Sequence, residues 1–192
     1  MPRNVTIEFA PLSPASKKAA KGRGGAQTLV VFAGEELKLS ATTEKLLGAA
    51  GEVVKRAAKT AGFTGRKSSS LEILAPVGLD AERLLVIGTA QAKSDAKSDH
   101  AKSDGAKAEG DEAPKLDFVT LGGFTMGKLS KGAVNIQLDP PNGADGGAAA
   151  DFVLGLRLRA YKFDTYKTKK PENGAKDDSL NISVGVAHVA EA

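Results

Sequence analysis

The chain has 192 residues, of which 41% are hydrophobic, 26% charged and 5% aromatic, with no Cys and no Trp. That length and apolar content fit one domain with a core of Val, Leu, Ile and Ala, and the missing Cys excludes disulfides, thiolate metal sites and cysteine nucleophiles. A net charge of +4 from 27 basic and 23 acidic residues is too slight an imbalance to identify an anionic partner. MPRNVTIEF lacks the apolar core of a signal peptide, and no run approaches the ~18 apolar residues of a membrane span. The expectation is a soluble, cytoplasmic protein with no membrane partner.

Val5, Ile7 and Phe9 alternate with Thr6 and Glu8, which predicts a half-buried strand over residues 3–9. Residues 11–27 are rich in Pro, Ser, Lys, Gly and Ala and read as a mobile basic loop. No helix start follows Gly22, Gly24 and Gly25, so they form no phosphate cradle. Leu29 to Phe32 is a continuous apolar run, the pattern of a strand buried on both faces. Ser40 or Thr42 can cap one helix over residues 42–61, where Leu46, Ala50, Val53, Val54, Ala57 and Ala61 recur at helical spacing up to Gly62. Lys55, Arg56 and Lys59 lie opposite that stripe as a solvated face. Residues 71–74 and 84–87 read as strands joined by a turn containing Pro76, Gly78 and Asp80.

Residues 91–114 contain AKSD three times. They hold too few apolar side chains to offset roughly 1–2 kcal/mol per residue of ordering entropy, which predicts a disordered surface insert. His100 lies within it and has no ligand spacing around it. Gly122 to Lys128 matches the G-x-x-x-x-G-K part of a P-loop, but Leu129 stands where Ser or Thr must hold Mg²⁺, and Gly132 interrupts any following helix. This stretch reads instead as a glycine-containing helix packed on a sheet. Val134, Ile136 and Leu138 alternate in a further strand, Asp139-Pro-Pro-Asn-Gly is a turn, and Leu180, Ile182 and Val184 alternate in a last strand.

Between those strands lies a helix expected over residues 144–163. On its wheel Ala149, Phe152, Val153, Leu156, Ala160 and Phe163 share one face, while Leu154, Leu158 and Tyr161 form a second apolar stripe nearly opposite. Asp151, Arg157, Arg159 and Lys162 fall between the two. A helix that is apolar on two sides expects two neighbours. The second stripe therefore predicts an interface, with cover by the 11–27 loop or the last strand as the other reading. A nucleophile triad lacks a credible histidine, since only His100 and His188 are present.

The segment GLRLRAYKFDTYKTKK, residues 155–170, resembles the close of the N-terminal domain of the leucyl (cytosol) aminopeptidases, peptidase family M17. There an apolar helix runs into a Tyr-x-Phe-Asp-x-Tyr-Lys-Thr pattern, matched here by Tyr161, Phe163, Asp164, Tyr166, Lys167 and Thr168. The order of elements before it fits the same domain, so the resemblance covers nearly the whole chain. The lysine-rich insert at 91–114 departs from it, and no Asn-Thr-Asp-Ala-Glu-Gly-Arg metal motif occurs.

The resemblance implies an α/β fold with a mixed sheet flanked by helices, similar to the macro domain, as a single domain over residues 1–192. It implies a non-catalytic part of a longer chain, serving assembly and access to an active site that lies outside these residues. The parent would be a homohexameric hydrolase that removes N-terminal residues from peptides with two divalent metals, zinc or manganese. This chain itself would hold no catalytic, cofactor or metal residue. Its partners would be its own C-terminal catalytic domain and further copies, through Leu154, Leu158, Tyr161, Phe163, Asp164, Tyr166 and Lys167. Two alternatives stand beside this. A nucleic-acid module would use Arg157, Arg159, Lys162, Lys167, Lys169 and Lys170 with the loop from Lys17 to Arg23, and a macro-domain-type binder would hold an ADP-ribose-like ligand at the strand ends.

Overall fold

A computed structural model describes residues 5–12, 28–90, 116–161 and 179–187. The elements are β1 (Val5–Pro11), β2 (Thr28–Ala33), α1 (Ala41–Leu47), α2 (Ala50–Ala61), β3 (Ser70–Leu74), β4 (Arg83–Gly88), α3 (Phe118–Lys128), β5 (Gly132–Gln137), α4 (Gly146–Ala160) and β6 (Leu180–Val186). The strands form one six-stranded sheet in the order β1-β6-β5-β2-β4-β3. Every neighbouring pair is parallel except β3 with β4. The expected α/β architecture with mixed strand directions is therefore present, with the antiparallel strand confined to one edge.

The core divides into two layers, one on each face of the sheet. Val30, Phe32, Leu85, Ile87, Ile136, Ile182 and Val184 point to one face and pack with Leu121 and Met126 of α3 and Phe152 and Leu156 of α4. Leu29, Val31, Ala33, Leu84 and Val86 point to the other and pack with Leu47 of α1 and Val54 and Ala58 of α2. Adjacent residues of β2 and β4 thus enter opposite layers, the period-2 consequence of a fully buried strand.

The single helix expected over residues 42–61 is two helices. Ser40 does cap the first, its hydroxyl oxygen accepting from the Thr43 amide at 3.1 Å. Gly48 then takes φ +47° and ends it, and α2 restarts at Ala50. The apolar spacing runs through this break because both pieces bury the same side, so periodicity alone could not reveal it. The helix expected over 144–163 is shorter at both ends. Asp145 caps its start through an oxygen that accepts from the Ala148 amide at 2.7 Å, and Tyr161 is already extended at φ −64°, ψ 121°. The strand expected over 3–9 runs from Val5 to Pro11. The insert at 91–114, residues 13–27, His100 and His188 lie outside the described residues.

Candidate functional site

Helix α4 carries the residues that the sequence singles out, and its position is fixed by backbone approach. A Cβ on Gly155 would lie 2.0 Å from the Val119 carbonyl oxygen, and one on Gly122 would lie 2.1 Å from the Phe152 carbonyl oxygen. No side chain fits at either position, so α3 and α4 cross in direct main-chain contact. Phe152 is thereby driven into the sheet, where it meets Phe32 edge-on with ring centroids 5.8 Å apart.

With one side of α4 committed to α3 and the sheet, its outer side is left to solvent. Leu154, Leu158 and Tyr161 are 48%, 61% and 72% exposed, and their i, i+4, i+7 spacing aligns them in one row. Asp151 continues the row toward the helix start. Exposed Arg157 borders it, and Arg159 lies on the side where a Cβ on Gly127 of α3 would be 3.8 Å from its Nε. Lys128, at the end of α3, places its ammonium 5.4 Å from the Phe124 ring centroid. Both helices thus end in cations, which suit the negative end of a helix dipole. The surface is an apolar row with a basic border at its C-terminal end.

Of the residues predicted for an interface, Leu154, Leu158 and Tyr161 come together; Phe163, Asp164, Tyr166 and Lys167 lie outside the described residues. So do Lys162, Lys169, Lys170 and the loop from Lys17 to Arg23, which leaves only Arg157 and Arg159 of the basic set.

At the strand ends, where open α/β sheets hold small ligands, the chain makes close contacts with itself between β2 and β5. At the junction of β2 and β5, Ser40 donates to Asp139 Oδ2 at 2.5 Å, and a Cβ on Gly34 would lie 3.2 Å from Pro141 Cγ. Beside them Thr89 donates through its amide to the Ala33 carbonyl at 2.8 Å and Ala90 to the Gly65 carbonyl at 2.9 Å. Gly122 to Lys128, the P-loop-like stretch, is part of α3 and presents no loop of amides to a phosphate. Among the described residues no three His, Cys, Asp or Glu side chains are grouped to hold a metal ion.

Two carboxylates are held below their ordinary range. Glu72 on β3 is lowered first by its hydrogen bonds from Arg83 and then by that residue's charge, the guanidinium donating at 2.7 and 2.9 Å. Arg83 also donates to the Lys128 carbonyl at 3.1 Å, tying the edge of the sheet to the end of α3. Asp117 is lowered by donation from the Thr120 hydroxyl and then from the Thr120 amide, as the cap of α3. Both are structural roles, and both were missed in the sequence. A cap before residue 118 was legible in the Asp itself, whereas the Glu72–Arg83 pair depends on strand register.

A second exposed apolar group was also missed. The end of β3 exposes Leu74 at 71% and the turn that follows exposes Val77 at 76%, with Asp80 and Glu82 also exposed. The shape of the turn is fixed by donation from the Ala75 amide to the Glu82 carbonyl at 2.7 Å, and Ala75 is held at φ +47°. A shallow depression of about 500 Å³ is lined by the turn from Ala75 to Glu82.

The sequence model of the cytosol aminopeptidase family, N-terminal domain, matches residues 30–170. A probable cytosol aminopeptidase of Methylorubrum extorquens is 37% identical over 194 residues, covering 100% of this chain and 34% of that protein. One from Rhodopseudomonas palustris is 44% identical over 162 residues, covering 82% and 29%. A mutant of tomato leucine aminopeptidase shares the fold with a TM-score of 0.57 at 11% identity, across 96% of this chain and 33% of that one. The chain spans about a third of the length of these proteins.

Proposed function

The chain belongs to the cytosol aminopeptidase family, as its N-terminal domain, and from that premise we propose that its role is non-catalytic: it serves assembly and the shaping of access to a catalytic domain elsewhere in a longer protein. The observation that carries this is the row of Leu154, Leu158 and Tyr161, exposed on a helix whose other side is locked by backbone contact. Burying one such leucine is worth on the order of 1.5–3 kcal/mol, so a row of three apolar side chains in water is a docking surface in waiting. Phe163, Asp164, Tyr166 and Lys167, which follow it in the chain, belong to the same proposed interface. Its partners are the catalytic domain and other copies of the chain, with a hexamer as the assembled form.

The parent reaction in this proposal is two-metal hydrolysis of the N-terminal residue of a peptide, with zinc or manganese. The described residues do not fit such a centre, because they group no three suitable ligands, and no step of the reaction is assigned to them. A cytoplasmic location belongs to the same proposal and is supported by the name of the relatives. No helix among the described residues is long and apolar enough to cross a membrane.

The test is incubation of this chain with a leucine anilide and added Zn²⁺ or Mn²⁺. Turnover should stay at the level of the metal alone, and metal-dependent activity that follows the purified protein overturns the reading. The interface is tested by replacing Leu154 and Leu158 with Ser. Reduced self-association at an unchanged melting temperature supports a docking surface, and a large loss of stability rejects it.

A further inference from the structure

On the side of the sheet where α1 and α2 pack over β2 and β4, the neighbouring strands β5 and β6 present Asn135, Gln137, Ser183 and Gly185 instead of an apolar surface. The Gln137 side chain lies flat there, because a Cβ on Gly185 would stand 2.9 Å from its Oε1, and its Nε2 donates to Asn135 Oδ1 at 2.6 Å. Gln137 and Asn135 are only 4% and 9% exposed, yet among the described residues Gln137 Oε1 and Asn135 Nδ2 have no hydrogen-bond partner. Buried amide groups in that condition call for polar cover. We propose that residues 13–27 of this chain dock on this face, their main chain meeting the Gln137–Asn135 pair.

Strand direction carries the argument. Because β1, β6, β5 and β2 run parallel, the chain leaves β1 at one end of the sheet and re-enters β2 at the other, three strands away. That diagonal is about 24 Å from strand spacing and rise, well within the roughly 50 Å that residues 13–27 span when extended. Handedness selects the side. The crossings from β4 to β5 through α3 and from β5 to β6 through α4 step the same way along the sheet, and both lie on the α3–α4 face. The crossing from β1 to β2 steps the opposite way, so to keep the one hand that parallel crossovers almost always share it passes over the opposite face. That is the face of Asn135 and Gln137. Composition fits the route, since residues 13–27 hold Lys17 and Lys18 early, Gly24 and Gly25 late, and no Asp or Glu. Exposed Glu8 on β1 offers the lysines a counter-charge, and the glycines let the backbone approach the flat amide pair over β5. The route also keeps the segment off Leu154, Leu158 and Tyr161, on the far side of the sheet, so the proposal is independent of the docking role of α4.

The chain has no Cys, so introduced pairs report distance directly. Ser183→Cys on β6 is combined with Ala20→Cys or with Gly24→Cys, and as controls Leu158→Cys on the outer side of α4 is combined with each of the same two. Disulfide formation is followed in dilute protein under mild oxidation, and circular dichroism checks that each form is folded. At least one pair with Ser183→Cys should close roughly tenfold faster than both controls. Equal rates, or a faster pair with Leu158→Cys, overturn the proposal, and a disulfide between chains through position 183 overturns it in favour of a second copy. The amide contact is read separately by trypsin, which cuts after Lys17, Lys18, Lys21 and Arg23. The unaltered chain should be cut at these sites roughly tenfold more slowly than the Gln137→Ala form, and equal cutting of the two overturns the contact with the amide pair. If Gln137→Ala does not fold, the disulfide comparison decides alone.

Discussion

The two halves of the sheet are buried in different ways. One row of paired residues on the α1–α2 side runs across the strands as Glu8, Ser183, Asn135, Leu29, Leu84 and Ile73. It is polar over β1, β6 and β5 and apolar over β2, β4 and β3, and the helices α1 and α2 pack only on the apolar part. On the opposite face the row Phe9, Val184, Ile136, Val30 and Leu85 is apolar from β1 to β4, and all but the exposed Phe9 lie in the core under α3 and α4. Parallel sheets are ordinarily covered on both sides. Among the described residues the apolar core lies on both sides of β2 and β4 but on one side of β1, β6 and β5, where Asn135 and Gln137 are buried as polar groups on the other face, and the strand sequences already differ accordingly.

The strongest way to break the comparison is to lift the layer that both halves share. Gly155→Ala places a methyl group where the Val119 carbonyl oxygen stands, so α3 and α4 must separate and the face common to both halves loosens. The expected loss is about 3 kcal/mol, read from urea unfolding, and a loss below about 1 kcal/mol would mean that the crossing relaxes freely.

Within the two-sided half, Val31→Thr buries a hydroxyl beneath α1 and α2 with no partner provided. Val31 is fully buried, so a loss of about 2 kcal/mol is expected. Measured against Ser183→Val, described below, it sharpens the contrast between the halves.

Glu72→Gln, at the edge of the two-sided half, should cost about 0.5–1 kcal/mol at neutral pH, since Glu72 is partly exposed and its pair with Arg83 is screened by solvent. The sign with pH follows from the lowered pKa. The folded value lies below the unfolded one, so the stabilisation is complete above the ordinary carboxylate range and is lost as pH falls through the depressed value. The gap between the two proteins should therefore close in acid. A gap that widens in acid would contradict the hydrogen-bonded carboxylate.

The smallest effect is expected from Ser183→Val. Ser183 lies in the polar part of the row, and a change there should stay within about 0.5 kcal/mol. Thermal unfolding measures it. A gain or loss of several kcal/mol would mean that this face is covered as tightly as the other half.

Much of the sheet was legible in the chain. Leu29 to Phe32 read as a strand buried on both faces, the alternation in Val5–Phe9 as a half-buried strand, and that in Val134–Leu138 and Leu180–Val184 as two further strands. The structure gathers those three into one half. Leu154, Leu158 and Tyr161 were also legible, because a wheel is a local property. The residues that close the site were not. Gly122 and Gly155 are separated by a strand and a turn, and nothing in either local sequence says that the two backbones meet. The break at Gly48 was hidden because α1 and α2 bury the same side.

By itself the sequence determined which residues seek water and which avoid it along each segment, since side-chain direction repeats with the local backbone. It therefore contained the strands, the helices and their apolar faces, together with the family likeness carried from Tyr161 onward. Only the tertiary structure decided which faces found a partner. Strand order, the α3–α4 crossing, the Ser40–Asp139 closure and the strand end and turn that expose Leu74 and Val77 each depend on contacts between residues far apart in the chain. Those contacts are selected by the shape and volume of the whole core, which no local window of sequence records.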